Sequence, residues 1–377
     1  MPPSELVAPA SPLGLPAPYL ALAIFKGVGF VLHMWPMHLW YAGLILAAVL
    51  RFRGGEHART WSTHLFRQMP IIIAFGVNFG ILALLFLQVA YYRAFYPATI
   101  LMAWPWFSIF FGLTLAYYGV YVYVIRLSHN SLTPLTRALG WAAAVVFIAE
   151  GFLFANALSL MTNVGGWKAL WERTSVAGAT LGTGLNTADP TLWPRWLMMF
   201  GLAITTTAAY VVLDAAFLSR KESEAYRGWA GGFALKVYTV GLIWFAAFGS
   251  WYVFGTWAPA VRQVMFRWPI ALLMAATALS PGLPWLLVFA QRRQVARGLA
   301  IGTVAAQSGV LAINAASRQI VQNVELGRFV DVTAERVNPQ WGAAAVFVVL
   351  LLVGLGVLGW IIAQVIAAER RQAEPES

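Results

Sequence analysis

The chain has 377 residues, 60% of them hydrophobic and 10% charged, and a mean hydropathy of +0.71; soluble domains carry roughly 25% charged residues, so a water-soluble fold is excluded. The formal net charge of +11 is not read as nucleic-acid binding, because the basic residues sit at the ends of apolar runs, where anionic lipid and membrane insertion account for them. The absence of cysteine removes disulfides, thiolate catalysis, cysteine-ligated iron–sulfur clusters and covalent haem c from this chain.

Residues 1–18 are rich in Pro, Ala and Ser and lack a basic start, so they read as a flexible lead rather than a cleavable signal peptide. Apolar runs near the ~20 residues that a helix needs to cross hydrocarbon then follow one another. They predict about nine helices, over residues 19–50, 69–92, 99–125, 135–161, 193–218, 232–257, 269–290, 295–316 and 341–367. The expected fold is an all-α, polytopic helix bundle formed by residues 19–367, with a charged tail over residues 368–377.

The connections after the first, third, fifth and seventh helices, together with the tail, hold the larger share of arginine and lysine, among them Arg51, Arg53, Arg59, Arg67, Arg292, Arg293 and Arg297. The positive-inside rule therefore puts the N-terminus outside and the C-terminus in the cytoplasm, and a bacterial cytoplasmic membrane is the expected location. Two outer segments, residues 162–192 and 317–340, are long enough to dock a partner, and the second reads as a polar surface segment with a short helix. Trp61, Trp167, Trp193, Trp257 and Trp341 fit the aromatic belts at the two interfaces, whereas Trp35, Trp104 and Trp106 lie deeper or beside prolines.

A charge at mid-bilayer costs roughly 2.5–3.5 kcal/mol on insertion scales, so ionisable residues inside the runs are functional candidates. These are Lys26, His33, His38, Glu150, Asp214 and Lys236. Lys26 and His33 share one helix face, two turns apart, and His38 falls on another face beyond Pro36. His33 is a candidate haem-iron ligand or quinone partner, against the alternative of a buried histidine bonded to a neighbouring helix. Glu150 has no opposite charge in its own helix and suits proton relay or a structural hydrogen bond. Asp214 and Lys236 are expected to pair across adjacent helices. Asn78, Asn156 and the run Thr205-Thr206-Thr207 can bond between helices. His57, His64 and His129 fall in loops or at their edges, so at most one haem b is expected, with a methionine such as Met34, Met37, Met102, Met199 or Met274 as its second ligand. Nucleotide-binding loops and zinc-type His-Glu pairs are absent from the sequence.

The segment Leu32-His33-Met34-Trp35-Pro36-Met37-His38-Leu39-Trp40-Tyr41-Ala42-Gly43, the following Asn78-Phe79-Gly80 and the nine-helix layout resemble subunit I of cytochrome bd quinol oxidases. Ser317-Arg318-Gln319 is similar to the Gly-Arg-Gln-Pro segment of that family, with Ser317 and Ile320 in place of its Gly and Pro. The resemblance implies a quinol-handling membrane subunit. By position, His33 matches a family haem-ligand histidine, and Trp35, His38, Arg318 and Gln319 become candidate cofactor-binding residues, with Glu150 and Lys26 as candidate proton carriers. The family's quinol loop corresponds here to the short residues 258–268, and no histidine follows His129, so a complete oxygen-reducing centre is not expected.

The leading expectation is thus an integral subunit of a respiratory complex that interacts with quinol, surrounded by lipids. Its partners would be the other subunits, with a cytochrome or iron–sulfur protein on the outer face. A transporter or channel, to which the Ser280-Pro281-Gly282-Leu283-Pro284 break would contribute, and a cofactor-free scaffold are the alternatives.

Overall fold

A computed structural model describes residues 6–219 and 221–371; residues 1–5 of the N-terminal lead and 372–377 of the charged tail lie outside the described residues. Among the described residues nine helices are long and apolar enough to cross a membrane. They are α1 (Tyr19–Arg53), α2 (Glu56–Ala90), α4 (Ala103–Ser128), α5 (Pro134–Thr162), α7 (Leu192–Leu218), α8 (Glu224–Thr256), α10 (Ile270–Ala290), α11 (Arg297–Leu326) and α12 (Trp341–Arg371). Three short helices, α3 (Tyr92–Leu101), α6 (Trp167–Thr174) and α9 (Pro259–Met265), lie in connections. A two-stranded antiparallel hairpin, β1 (Ser175–Val176) and β2 (Ala179–Thr180), follows α6. The chain is a multi-pass membrane protein of the all-α class. Helices predominate because hydrocarbon offers backbone groups no partner, and a helix bonds them within itself.

The spans are longer than hydropathy predicts. Helix α2 starts at Glu56 rather than at residue 69, so His57 and His64 are helical instead of lying in a loop. Charged first turns lower the hydropathy but not the helical propensity of this stretch. Helix α11 likewise continues to Leu326, which converts the first part of the expected polar surface segment into helix. Only residues 327–340 remain as a connection, where the hydroxyl and amide of Thr333 bond Asp331 and hold its carboxyl below the usual carboxylate range. The expected run 99–125 divides into α3 and α4, which meet at Met102. The proline break in α10 is present, between Leu279 and Gly282.

Residues 6–18, read from sequence as a flexible lead, are held on the bundle. The Leu15 amide donates to the Arg336 carbonyl at 2.7 Å, the Asn338 amide to the Leu15 carbonyl at 2.8 Å, and Arg93 Nε to the Ala8 carbonyl at 2.7 Å. Arg93 also pairs with Glu335 at 2.8 Å. One face of the bundle, on which α1 begins, therefore carries the N-terminal segment, α3, α6, the hairpin and residues 327–340.

Helix α7 is the centre of the bundle, with 61% of its apolar window buried against 33% or less in the other spans. Its approach to α8 is set by two glycines. A Cβ at Gly201 would lie 2.6 Å from the Phe245 nitrogen, and one at Gly241 2.8 Å from the Thr205 nitrogen, both backbone atoms with no room to yield. Gly201→Val or Gly241→Val should therefore cost about 1–3 kcal/mol through overpacking. Thermal unfolding of the detergent-purified chain checks this: both variants should melt well below the parent, while Gly298→Ala, whose Cβ meets nothing within 4 Å, should not.

Candidate functional site

Helix α1 reaches the middle of the bundle and changes pitch there. Pro36 removes one backbone donor, and a π-helical turn follows over Leu39–Gly43, bringing Trp40 and Tyr41 inward. Helix α2 meets this stretch with Gly76-Val77-Asn78-Phe79-Gly80, a small-xxx-small pattern that permits close helix approach. The Trp40 ring lies over Gly76, and a Cβ at Gly80 would come within 2.8 Å of the His33 ring. The geometry of this crossing fixes the His33 tautomer. Its Nδ1 lies 2.7 Å from the Gly76 carbonyl, which can only accept, so Nδ1 carries the proton and Nε2 keeps its lone pair.

Between α1, α2, α5, α7, α8, α10 and α11 lies a cavity of about 890 Å³, within the range of ligand pockets. Its lining is mostly apolar, yet it includes Lys26, His33, Glu150, Arg195, Arg318 and Gln319. Five of these six were singled out in the sequence, where they are up to 293 positions apart (26 to 319). Lipid-facing Ile24, Val28 and Ile81 also border the cavity, so it reaches the apolar surface of the bundle.

Two ends of the cavity differ in chemistry. At the deeper end Glu150 is 8% exposed and its Oε1 has no hydrogen-bond partner among the described residues. Gly112 on α4 makes room for it, since a Cβ there would lie 2.7 Å from that oxygen. Tyr41, packed across Gly151, is 3% exposed, and its hydroxyl, beside the Trp196 indole, makes no hydrogen bond of good geometry among the described residues. At the other end, toward the face where α1 begins, Lys26 Nζ donates to Gln322 Oε1 at 3.4 Å and stands 4.7 Å from the Tyr91 ring centroid. Arg318, one turn before Gln322 on α11, lies over Phe30 at 4.9 Å. Arg195 is already paired, its Nη2 donating to both carboxylate oxygens of Glu325 at 2.8 and 3.2 Å.

Beside the Lys26 end, a cluster missed in the sequence closes the bundle. The Tyr91 hydroxyl donates to Asn323 Oδ1 at 2.5 Å, Asn323 Nδ2 donates to the Tyr19 hydroxyl at 2.7 Å, and Gln319 Nε2 donates to both tyrosine hydroxyls. Uncharged side chains of this kind give no insertion penalty large enough to mark them. Arg195 also escaped notice, because its partner is 130 positions away.

Other expectations resolve differently. Trp35 and His38 are not on the cavity lining. The Trp35 indole donates to Ser308 at 2.9 Å, and His38 is fully buried with Nδ1 2.9 Å from Thr206 Oγ1. The Thr206 hydroxyl donates to the Leu202 carbonyl and accepts from Gln307, so His38 donates to it and ties α1 to α7 and α11. Asp214 does not pair with Lys236, which is exposed to lipid. Asp214 Oδ2 instead accepts from the Ser219 and Tyr226 hydroxyls at 2.7 and 3.0 Å, with His64 Nδ1 at 3.6 Å. Asn78 bonds the Ala74 carbonyl of its own helix, whereas Asn156 accepts from the Asn186 amide and holds the connection after the hairpin. Met34, Met37, Met199 and Met274 line the cavity; Met102 is buried elsewhere. Among the described residues no group of three or more His, Asp or Glu side chains could hold a metal ion.

No protein-family model matches the chain, and no curated protein matches it in sequence.

The tyrosine–amide cluster should contribute measurably to stability. Tyr91→Phe removes the hydroxyl that Asn323 Oδ1 and Gln319 share, while Gln319 keeps Tyr19 and Asn323 Oδ1 keeps Gln319, so the loss is about 0.5–1.5 kcal/mol, the net value of a hydrogen bond. Chemical or thermal unfolding of the purified variant should show that loss, and wild-type stability would mean the cluster carries none.

Proposed function

We propose that this chain is the quinol-interacting membrane subunit of a respiratory electron-transfer complex in a bacterial cytoplasmic membrane, and that the cavity is where the quinol ring sits. The observation that carries the reading is the meeting of His33, Glu150 and Tyr41 at one end of an apolar cavity that opens toward lipid. The resemblance of the helix-one segment to cytochrome bd subunit I supports it. Oxidation of a quinol releases two protons and two electrons. Glu150 Oε1 and His33 Nε2 each offer a lone pair without a competing partner, and positioned groups of this kind contribute 10²–10⁴-fold to proton transfer. The Tyr41 hydroxyl has a hydrogen to donate to a ring oxygen. Trp40, stacked on Phe147 at 5.6 Å between centroids, gives a flat wall. Charged Lys26 has no lone pair, and lies about 10 Å along α1 from His33 at 1.5 Å per residue, so the accepting role falls to Glu150 and His33. The electrons leave to a cytochrome or iron–sulfur partner on the outer face, the face on which α1 begins.

His33 would also hold a haem b through its Nε2. A ligating histidine usually donates its second nitrogen to a carbonyl or carboxylate, as Nδ1 does here to Gly76. A haem held there would carry single electrons. No second histidine lines the cavity among the described residues, and a cavity methionine would have to be the other ligand.

Three measurements test these assignments. In the complex, Glu150→Gln should lower quinol oxidation at least tenfold, and unchanged turnover would remove Glu150 from the reaction. A reduced-minus-oxidised spectrum of the lone chain decides the role of His33: a b-type band abolished by His33→Ala assigns it to iron, and a flat spectrum assigns it to the ring. The cysteine-free sequence permits a direct topology test. An impermeant thiol reagent on intact cells should label Glu172→Cys and spare His129→Cys, and the reverse pattern would invert the orientation.

A further inference from the structure

The Lys26 end of the cavity has an electrostatic composition that quinol chemistry does not use. The pairing of α1 with α11 places Lys26 against Gln322 and Phe30 against Arg318. Residues 26 and 30 are one turn apart on α1, as are 318 and 322 on α11, so the two cationic heads are neighbours across the same stretch of interface. Neither has a counter-ion: Lys26 and Arg318 form no ion pair, and Arg318 forms no hydrogen bond, among the described residues. The nearby Glu325 has both carboxylate oxygens engaged by Arg195. Buried cations are ordinarily paired, and two like charges in a low-dielectric setting repel.

Gln322 supplies the second observation. It is 6% exposed, its Oε1 is taken by Lys26, and its Nε2, beside the Tyr91 hydroxyl, makes no hydrogen bond of good geometry at the cavity wall among the described residues. Lys26, Arg318 and Gln322 thus present only N–H donors to the same end of the cavity, and Gln319 Oε1 is, among the described residues, a free acceptor on the lining beside them. An uncharged ligand would leave the two cations without counter-charge, whereas an oxygen bearing negative charge accepts from all three donors. Beyond the donors the lining is apolar, through Phe30, Ala23, Leu84 and Leu87, and opens past Ile24 and Ile81 to the lipid-facing surface.

We propose that Lys26, Arg318 and Gln322 form a binding site for the anionic oxygen head of a membrane amphiphile, the phosphate of an anionic phospholipid or the carboxylate of a fatty acid, whose chain leaves the cavity toward the bilayer. This site is separate from the proton acceptors His33 and Glu150, and its occupancy does not rest on the quinol reading. Its amphiphile supplies the missing counter-charge and joins α1 to α11 through a shared ligand.

Native mass spectrometry of the delipidated full chain tests it, with phosphatidylglycerol, phosphatidylcholine and oleate titrated separately and no quinone present. The expected result is one adduct of phosphatidylglycerol or oleate bound at least tenfold more tightly than phosphatidylcholine. That adduct should be lost in Arg318→Gln, weakened in Lys26→Met, retained in Arg318→Lys and unaffected by Arg297→Gln, an exposed arginine at the other end of α11. Preference for phosphatidylglycerol identifies a phosphate head, and preference for oleate a carboxylate head. Equal binding of all three, or an anionic adduct that survives Arg318→Gln and falls with Arg297→Gln, overturns the proposal. The charge-preserving Arg318→Lys guards against a folding artefact: loss of the adduct in that variant, with wild-type melting behaviour, would also overturn it. Because no redox readout enters, a failed quinol assay leaves this result standing and the converse holds as well.

Discussion

Helix α2 is bare at residues 76 and 80, where rings from α1 occupy the space a Cβ would need, and much of the interior follows from that contact. The Gly76 carbonyl sets the His33 proton, the space above Gly76 admits the Trp40 indole, and Gly80 admits the imidazole itself. A methyl group at either position would push these rings toward the cavity. The π turn that follows Pro36 then continues the same wall with Tyr41, which in turn needs the bare Gly151 of α5. The cavity is the space left beside helices that meet through backbone, α1 and α2 at Gly29 and Ala83, and α7 and α8 at Gly201 and Gly241.

Polar groups sort by what the interior can offer them. His38 through Nδ1, Thr205, Thr206, Gln307 and Tyr238 bond one another and join four helices, so their function is cohesion. Asp214 Oδ2 is held by Ser219 in the connection that follows α7 and by Tyr226 on α8. Side chains with a free donor or acceptor facing open volume include Glu150, Tyr41, Gln319 and Gln322, with Trp196, Trp257 and Arg195 Nε, and beside them the cations Lys26 and Arg318. That distinction, rather than polarity itself, separates candidate chemistry from glue in this bundle.

Much of this arrangement can be read from the amino-acid sequence, because the bilayer imposes a simple rule on composition. Spans are recognisable by apolar length, and Lys26, His33 and Glu150 by the cost of placing them there. That the three share a cavity with Arg318 and Gln319 is not legible, since it depends on which helices are neighbours. The expected Asp214–Lys236 pair failed for the same reason: helical adjacency says nothing about facing, and Lys236 points to lipid while Tyr226 and Ser219 reach the carboxylate. Helix ends were misplaced wherever helix continues beyond hydrocarbon, as at residues 56–68, where hydropathy ceases to report on backbone conformation.

The length of the first two spans adds a mechanical consequence. Helices α1 and α2 each run 35 residues, some 50 Å against a hydrocarbon thickness of about 30 Å. Arg51 and Arg53 precede the Gly54-Gly55 turn that joins the two helices and Arg59 follows it, with Arg67 about three turns into α2, and cations near a membrane surface are attracted to anionic headgroups. A rod of this stiffness meets a thinner or thicker bilayer by leaning or sliding, not by stretching. Because His33 and Gly76 belong to the same locked pair, the depth of the cavity below the membrane surface moves with the rod. Bilayer thickness thereby becomes a tuning variable for how far a lipid-borne molecule must travel to enter.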